Sequence, residues 1–348
     1  ENIITHVPLD YYVISDTGSD DNTADIIKQF FDEKGIQGEI HHDEWVNFAH
    51  NRNCALQHAQ GKTDYVLIFD ADDRFEGNFV LPEELTSDRY YFRMANSVTG
   101  ANVYFRTLMF RNDGSFYWRG VLHEFVEQRK KTVVEQKIFG DYYVISGRFG
   151  ARSNNPQKYL QDALTLEKAF YSPEDEDLKD RYAFYTAQSY RDADLYEKAI
   201  EWYAIRANLG GWYEEVYHSL LQISLLKIEL NAPLDEIQRL LLATYEYRPQ
   251  RAESLYHLAR QLRHHNKARL AYIYATVAAN IPLSKDILFV DHSVYEWKAK
   301  EELAISANSV GNYQLCHDLC VELLFNPAVP EPNRKLLLDN LKLAKEYL

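Results

Sequence analysis

The chain has 348 residues, 46% of them hydrophobic and 26% charged, with a formal net charge of −14. That is room for two domains with separate cores, in a composition typical of globular proteins. The acidic balance argues against nucleic acid as the main partner, and no apolar run approaches the roughly 20 residues of a membrane span.

The N-terminus, ENIITHVPLD, has neither the basic nor the apolar region of a signal peptide. Three cysteines, Cys54, Cys316 and Cys320, fit a reducing compartment better than a disulfide framework. A cytoplasmic protein is expected. The i, i+4 spacing of Cys316 and Cys320, with no second ligand pair nearby, reads as helix packing rather than zinc.

Residues 11–15 are apolar and aromatic, and the polar stretch Asp16 to Thr23 turns into a helix with Asn22 or Asp21 as cap and Gly35 as its end. A strand over 39–42, a helix over 47–60 closed by Gly61, and a strand over 64–69 follow. Strand, helix, strand, helix, strand predicts an α/β half with parallel crossovers. The last of these strands, Tyr65 to Phe69, is an apolar run that reads as a buried strand and ends in Asp70-Ala71-Asp72-Asp73. Carboxylates so crowded repel one another unless a cation sits between them, and a hard divalent ion takes oxygen ligands while leaving positions open for phosphate. The plainer reading is a solvated turn capping the next segment. Ligands of open α/β sheets lie beyond the carboxyl ends of the strands, where Asp16 and the Asp70 cluster both fall, on strands that could be neighbours.

From Arg89 on, the strand-like runs 89–94, 102–111 and 132–145 have no helices between them and predict antiparallel or mixed strands that finish the sheet. The block Phe116 to Glu124, FYWRGVLHE, lies among them. Ser153-Asn154-Asn155-Pro156 predicts a turn, and Tyr159 to Phe170 a helix. The expected division is 1–150, a linker with a connecting helix over 151–180, and a helical domain over 181–348. In that last part the landmarks Tyr182, Tyr217, Tyr256 and Trp297 recur at 35, 39 and 41 residues. Such a period signals stacked helix pairs of tetratricopeptide type, with Ala187, Tyr190, Tyr196, Ala199 and Tyr203 as packing positions of the first unit. A non-repetitive bundle is the alternative.

The blocks VISDTGSDDNTADII (13–27), FAHNRNCALQHAQGKTDYVLIFDADD (48–73), WRGVLHEF (118–125) and YAFYTAQSYRDADLYEKAIEWY (182–203), in this order, resemble the family-2 glycosyltransferases of GT-A fold that carry a C-terminal tetratricopeptide-like domain. The resemblance implies a GT-A α/β domain with a mixed sheet, followed by an all-α solenoid. It implies an inverting transferase that uses Mn²⁺ or Mg²⁺ and a nucleotide sugar, with UDP-glucose, UDP-galactose and UDP-GlcNAc all open as donors, and a protein or glycan hydroxyl as acceptor. Asp16 matches the position that contacts the uracil or ribose. Arg52 and Asn53 match an RN pair near the nucleotide. Asp70 and Asp72 match the DxD motif, Asp72 as metal ligand and Asp70 as ribose contact. His123 matches a position close to the metal and diphosphate, and Glu124 is the candidate base.

Each assignment has a plainer counterpart. Asp16 caps a helix, Arg52 lies on an amphipathic surface, and His123 is a hydrogen-bonded core residue. Glu124 points away from the cleft, with Asp113 and Glu127 as substitutes. Trp118 stacks on a sugar or packs in the core. The group His41-His42-Asp43-Glu44 looks metal-like but has no match in the family pattern.

The family begins with an apolar strand and a KNE-like motif, whereas this sequence enters at Glu1-Asn2-Ile3. A strand beside Asp16 is therefore expected to be missing, and a chain shortened at its N-terminus is the preferred explanation. The helical domain is expected to bind the acceptor or a second copy of the chain. The alternative function is a decayed transferase domain serving as a scaffold, with the repeats as the binding module. A nucleotidyltransferase would carry a basic, Gly-rich phosphate loop, and none is visible.

Overall fold

A computed structural model describes residues 1–95, 104–147 and 155–348. Asn102 and Val103 of the second strand-like run and Ser153-Asn154 of the expected turn lie outside the described residues. The chain divides into two compact units, Glu1–Leu178 and Lys179–Leu348.

The first unit opens with β1 (Tyr11–Asp16), α1 (Thr23–Lys34) and β2 (Gln37–His42), and the two strands pair in parallel around the helical crossover. Asn22 holds the cap position of α1 without a side-chain bond, and the Asp21 carboxylate instead accepts from the Thr23 amide. Gly35 closes the helix at φ 68°, a left-handed conformation that glycine adopts without Cβ strain. Next come α2 (Phe48–Ala59), β3 (Tyr65–Leu67), β4 (Arg74–Gly77), β5 (Arg89–Ala95) and β6 (Tyr104–Arg111). A hairpin, β7 (Phe116–Arg119) with β8 (Phe125–Gln128), precedes β9 (Glu135–Lys137), β10 (Tyr142–Ile145) and α3 (Lys158–Phe170).

The main sheet is mixed, in the order β3-β6-β5-β10-β4, with β9 also on β5. Its core stacks Phe75, Phe79, Phe92 and Tyr142. One expectation needs correcting. β3 does not join β1 in a parallel ladder; it runs antiparallel to β6 in the other sheet. Between β1 and β3 lies an apolar slot of about 410 Å³, lined by Leu9, Tyr11, Val13, Leu56, Val66 and Leu67 among others. No ladder of backbone bonds crosses it among the described residues. β1 and β3 are thus side by side around a gap rather than hydrogen-bonded neighbours.

The second unit is all helix: α4 (Lys179–Asp192), α5 (Tyr196–Leu209), α6 (Tyr213–Glu229), α7 (Leu234–Tyr247), α8 (Glu253–His264), α9 (Ala268–Asn280), a π turn at Val294–Lys298 running into α10 (Ala299–Ser309), α11 (Tyr313–Leu324) and α12 (Glu331–Lys345). The landmarks Tyr182, Tyr217 and Tyr256 each sit on the first helix of a pair, and Trp297 on the π turn that leads into one. A second mark, from the backbone, repeats with them. Asp194, Asn231, Asn266 and Gly311 all have positive φ, each just after the first helix of a pair. The next amide then bonds back to the carbonyl five residues earlier: Leu195 to Tyr190, Ala232 to Lys227, Lys267 to Leu262, Asn312 to Ala307. This is the Schellman ending, which only Gly, Asn and Asp adopt readily. Four such endings make this a helix-pair repeat rather than an irregular bundle. Ala187, Tyr190, Ala199 and Tyr203 are buried as expected, while Tyr196 is only half-buried. Cys316 and Cys320 are buried packing residues of α11.

Two histidines of this unit are held neutral. Burial, with Arg191 and Arg251 nearby, pushes His218 down to about 3. Burial and Arg260 push His257 down to about 4. Unfolding releases both to the usual value near 6.5, so the unfolded chain binds more protons between that value and the folded ones. Stability is therefore complete above about pH 6.5 and is lost as the pH falls toward 4. Melting curves of the helical transition from pH 7.5 to 4.5 should show the midpoint dropping progressively below pH 6.5; a flat profile would refute the burial of these rings.

Candidate active site

The C-terminal end of β1 delivers Asp16. Its Oδ1 accepts from the Ser19 amide at 3.1 Å and the Ser19 hydroxyl at 2.6 Å, closing a tight turn, and its Oδ2 lies 3.2 Å from His42 Nδ1 on the paired position of β2. The Ser19 bonds, with a smaller contribution from His42, hold the Asp16 carboxyl below the usual range. All of these bonds lie within the β1–β2 layer. The structure gives none from Asp16 to the Asp70 turn among the described residues.

The helix α2 is fixed at its N-terminal end. Asn47 caps it by accepting from the His50 amide at 2.8 Å. Buried Asn51 straps the preceding loop, accepting from the Val46 amide and donating to the Glu44 carbonyl. One residue on, Arg52 is set between two carboxylates, with Nη2 donating to Asp70 Oδ1 at 2.6 Å and Nε to Glu124 Oε1 at 2.8 Å. Burial works against this guanidinium's charge, and Asp70 and Glu124 more than offset it, so its pKa rises. The ring of Trp118 lies 4.8 Å from the guanidinium, a cation–π contact. Trp118 is held in turn by Asn53, whose amide donates to the Trp118 carbonyl at 2.9 Å and accepts from its amide at 2.8 Å. Asn53 thus pairs with β7 as a strand edge would.

Trp118 is only 4% exposed, so it belongs to the core and not to a sugar platform. His123 is exposed on the turn between β7 and β8, with φ 53°, next to Glu124. Gly120, at φ 95°, opens the same turn.

The Asp70–Asp73 segment is a β-turn closed by the Asp73 amide on the Asp70 carbonyl at 3.0 Å. The Gly147 amide ties the Asp72 carbonyl from the other side. A Cβ at Gly147 would stand 2.3 Å from that carbonyl oxygen, so only glycine fits. The three carboxylates have different surroundings. Asp70 is engaged by Arg52 and lies 3.7 Å from Arg106 of β6. Asp73 is buried, and among the described residues neither of its oxygens has a hydrogen bond of normal geometry. Burial, with Asp70 and Asp72 adding like charge and Ser146 only partly offsetting them, pushes its carboxyl up. Asp72 is half-buried, and its side chain makes no hydrogen bond or ion pair among the described residues. This donor set suits a hard divalent cation bound through one or two carboxylates, with substrate phosphates completing its shell. It is not an all-protein cage: among the described residues no three His, Cys, Asp or Glu side chains stand together to hold a metal.

Arg52, Asp70 and Glu124 therefore form one cluster, with Asp72 on the same turn as Asp70 and His123 beside Glu124 on the hairpin. Arg106 was not legible beforehand; it is one arginine in the alternating run YFRTLMFR, and only sheet pairing brings it to Asp70. The substitutes for Glu124 have other work. Asp113 is buried enough to be raised, but Lys130 and Ser115 outweigh this and hold it at about 2. Glu127 accepts from the Gln128 amide. The His41 group is a packing network, with His41 stacked on His58 at 3.7 Å and Asp43 accepting from Ser15.

Residues 7–86 match the profile of the family described as glycosyl transferase family 2. The N-terminal unit carries a family-2 glycosyltransferase region. The matched span of this glycosyltransferase unit includes Asp16, Arg52, Asp70 and Asp72, and stops short of His123 and Glu124. No curated protein matches the chain. Among solved structures, two titled MamA, from AMB-1 and MSR-1, are 15% and 14% identical, with TM-scores of 0.33 and 0.32. Both cover 55% of this chain, and 89% and 87% of their own. A kinesin-light-chain structure from Podosopora anserina with nearly identical TPR-like repeats is 14% identical at a TM-score of 0.34, covering 56% of this chain and 88% of its own. Likeness at that level carries no argument; the repeat stands on the four helix endings above. No helix among the described residues is long and apolar enough to cross a membrane.

Proposed function

We propose that the glycosyltransferase unit works by inversion and depends on a divalent metal, moving a sugar from a UDP-sugar to a hydroxyl of a protein or glycan acceptor. The observation that carries this is Asp72: a half-buried carboxylate without a partner among the described residues, on a turn where Asp70 is held by Arg52 and Asp73 is buried. Asp72 would hold Mn²⁺ or Mg²⁺, with His123 next to it from the hairpin, and the ion would stabilise charge on the departing diphosphate as a Lewis acid. The chain's own residues set the stage. Arg52 and Arg106 fix Asp70 toward the ribose and place positive charge where phosphates would lie. Asp16, locked by Ser19 and His42, shapes the turn that would meet the base.

Inversion needs one carboxylate to take the acceptor's proton. Glu124 is the one proposed: Oε1 is bound to Arg52, and Oε2 makes no hydrogen bond among the described residues. A second reading, a decayed transferase acting as a scaffold, is favoured by that same Arg52 pair, which gives Glu124 a purely structural task. The helical unit is proposed to hold the acceptor or a second copy of the chain, and the cytoplasm is the proposed location.

Thermal shift of the full chain against a panel of nucleotide sugars, with and without Mn²⁺, tests the reading. A UDP-sugar at a hundredfold above its Kd stabilises by about 2.7 kcal/mol, or about 5 °C or more in the transition of the N-terminal unit, and only when Mn²⁺ is present. No shift with any nucleotide sugar would leave the scaffold.

A further inference from the structure

The helical unit contains a pocket of about 400 Å³, within the roughly 300–1,000 Å³ range of small-ligand sites. Its walls come from the first helices of three successive pairs, α4, α6 and α8, and its rim from the loop 281–293 that follows α9. The loop is drawn into place by buried charge. Glu214 Oε2 accepts from the Ile287 and Leu288 amides at 2.8 and 2.7 Å, Arg251 donates to the Leu288 and Phe289 carbonyls, and Asp286 is gripped by Arg248 and Arg251. The result is a left-handed backbone at Phe289, φ 46°, which an aromatic residue adopts only under constraint. One side of the Phe289 ring packs on His218 at 4.7 Å, and the residue remains 55% exposed.

The polar groups of the pocket are neutral or already balanced. Glu253 accepts from Arg251, Tyr217 and Tyr295, and Asp291 from Ser293 and Lys298. Arg191 is paired with Asp192 and has only long contacts, 3.4 Å each, to Tyr203 and Gln222. The unsatisfied groups are amide and imidazole. Gln188 and His218 line this space, and their Nε2 atoms are buried with no hydrogen-bond partner among the described residues. His218 itself is more than nine-tenths buried. Buried polar atoms left unpaired are costly, and a ligand that pairs them removes that cost. A carboxylate would meet Glu253 and Asp291 across the pocket. A neutral molecule with several hydroxyls meets no repulsion, and its apolar C–H face matches an exposed aromatic ring such as Phe289, which lies against His218 and 6.5 Å from Phe184.

We infer that this pocket binds a sugar residue, its hydroxyls on Gln188 and His218 and its ring face on Phe289. Its use in holding a glycan acceptor rests on the transferase reading; the binding itself does not. Saturation-transfer NMR on the full chain, with methyl glycosides of glucose, galactose and N-acetylglucosamine and no nucleotide or metal, tests it. At least one glycoside is expected to receive transfer, equally in wild type and Asp72→Ala. The signal should fall about tenfold or vanish in Gln188→Ala and Phe289→Ala, and persist in Phe289→Tyr, which keeps the aromatic face. Silence from every glycoside overturns the inference. So does a signal unchanged in Gln188→Ala and Phe289→Ala, or one lost in Asp72→Ala. A short acidic peptide that binds through Gln188 when no glycoside does would establish a carboxylate site instead. Failure of the nucleotide-sugar thermal shift would leave this result untouched, and the reverse holds as well.

Discussion

Alanine at position 72 is expected to cut Mn²⁺-dependent release of UDP from a UDP-sugar by on the order of a hundredfold or more, the scale seen when one group stabilising transition-state charge is removed. Cys54→Ala, on α2 but outside the cluster, should leave release unchanged. The loss would be one of chemistry and not of folding. The Asp72 side chain makes no hydrogen bond or ion pair among the described residues, and the bond that pins this turn to Gly147 uses the backbone carbonyl, which alanine keeps. Its melting temperature without ligand should stay within the small range of surface substitutions. A UDP-release assay over a Mn²⁺ titration decides the matter. Full metal-dependent release by Asp72→Ala would remove the carboxylate on which the proposed mechanism stands.

Arg251→Met is expected to destabilise the helical unit by about 3–5 kcal/mol, the usual cost of breaking a buried ion pair by removing one partner. Arg251 is 1% exposed and bonds Glu253 through Nε and Nη2, with a further contact to Asp286 at 3.3 Å. Its guanidinium also lies 4.5 Å from the Tyr217 ring. Asp286 would keep Arg248, so the charge left stranded is that of Glu253. Adding Glu253→Gln should recover part of the loss, and a double-mutant cycle in urea measures the coupling. Hydrogen exchange in the loop 281–293 should speed up in Arg251→Met, because the Leu288 and Phe289 carbonyls lose their donor. A loss below about 1 kcal/mol, the value of an exposed pair, would show that this network is open to water.

Much of this molecule is written locally in the chain. The run Tyr65–Phe69 ending in Asp70-Ala71-Asp72-Asp73 announces a strand that stops in a polar turn, because apolar burial and carboxylate repulsion act between near neighbours. Asn47 and Gly35 bound their helices for the same short-range reason. The 3.6-residue period and the recurring aromatics carried the helical half. The four Schellman endings were also within reach, in Asp194-Leu195, Asn231-Ala232, Asn266-Lys267 and Gly311-Asn312; the signal was a residue tolerant of positive φ after each first helix. The Asp70–Glu124 cluster could not be read that way. Arg52 reaches Glu124 across 72 residues and Asn53 reaches Trp118 across 65, and nothing local selects those partners.

The sequence alone determined which residues could do chemistry, and on which kind of element each would sit. Tertiary structure decided how they divide the work: Asp70 tied to arginine, Asp73 buried, Asp72 left open, Trp118 in the core, and β3 facing β1 across a slot. Side-chain identity sets what a group is able to bind. Which partner it finds depends on strand order and helix packing, and those are settled by the summed burial of residues far apart in the chain.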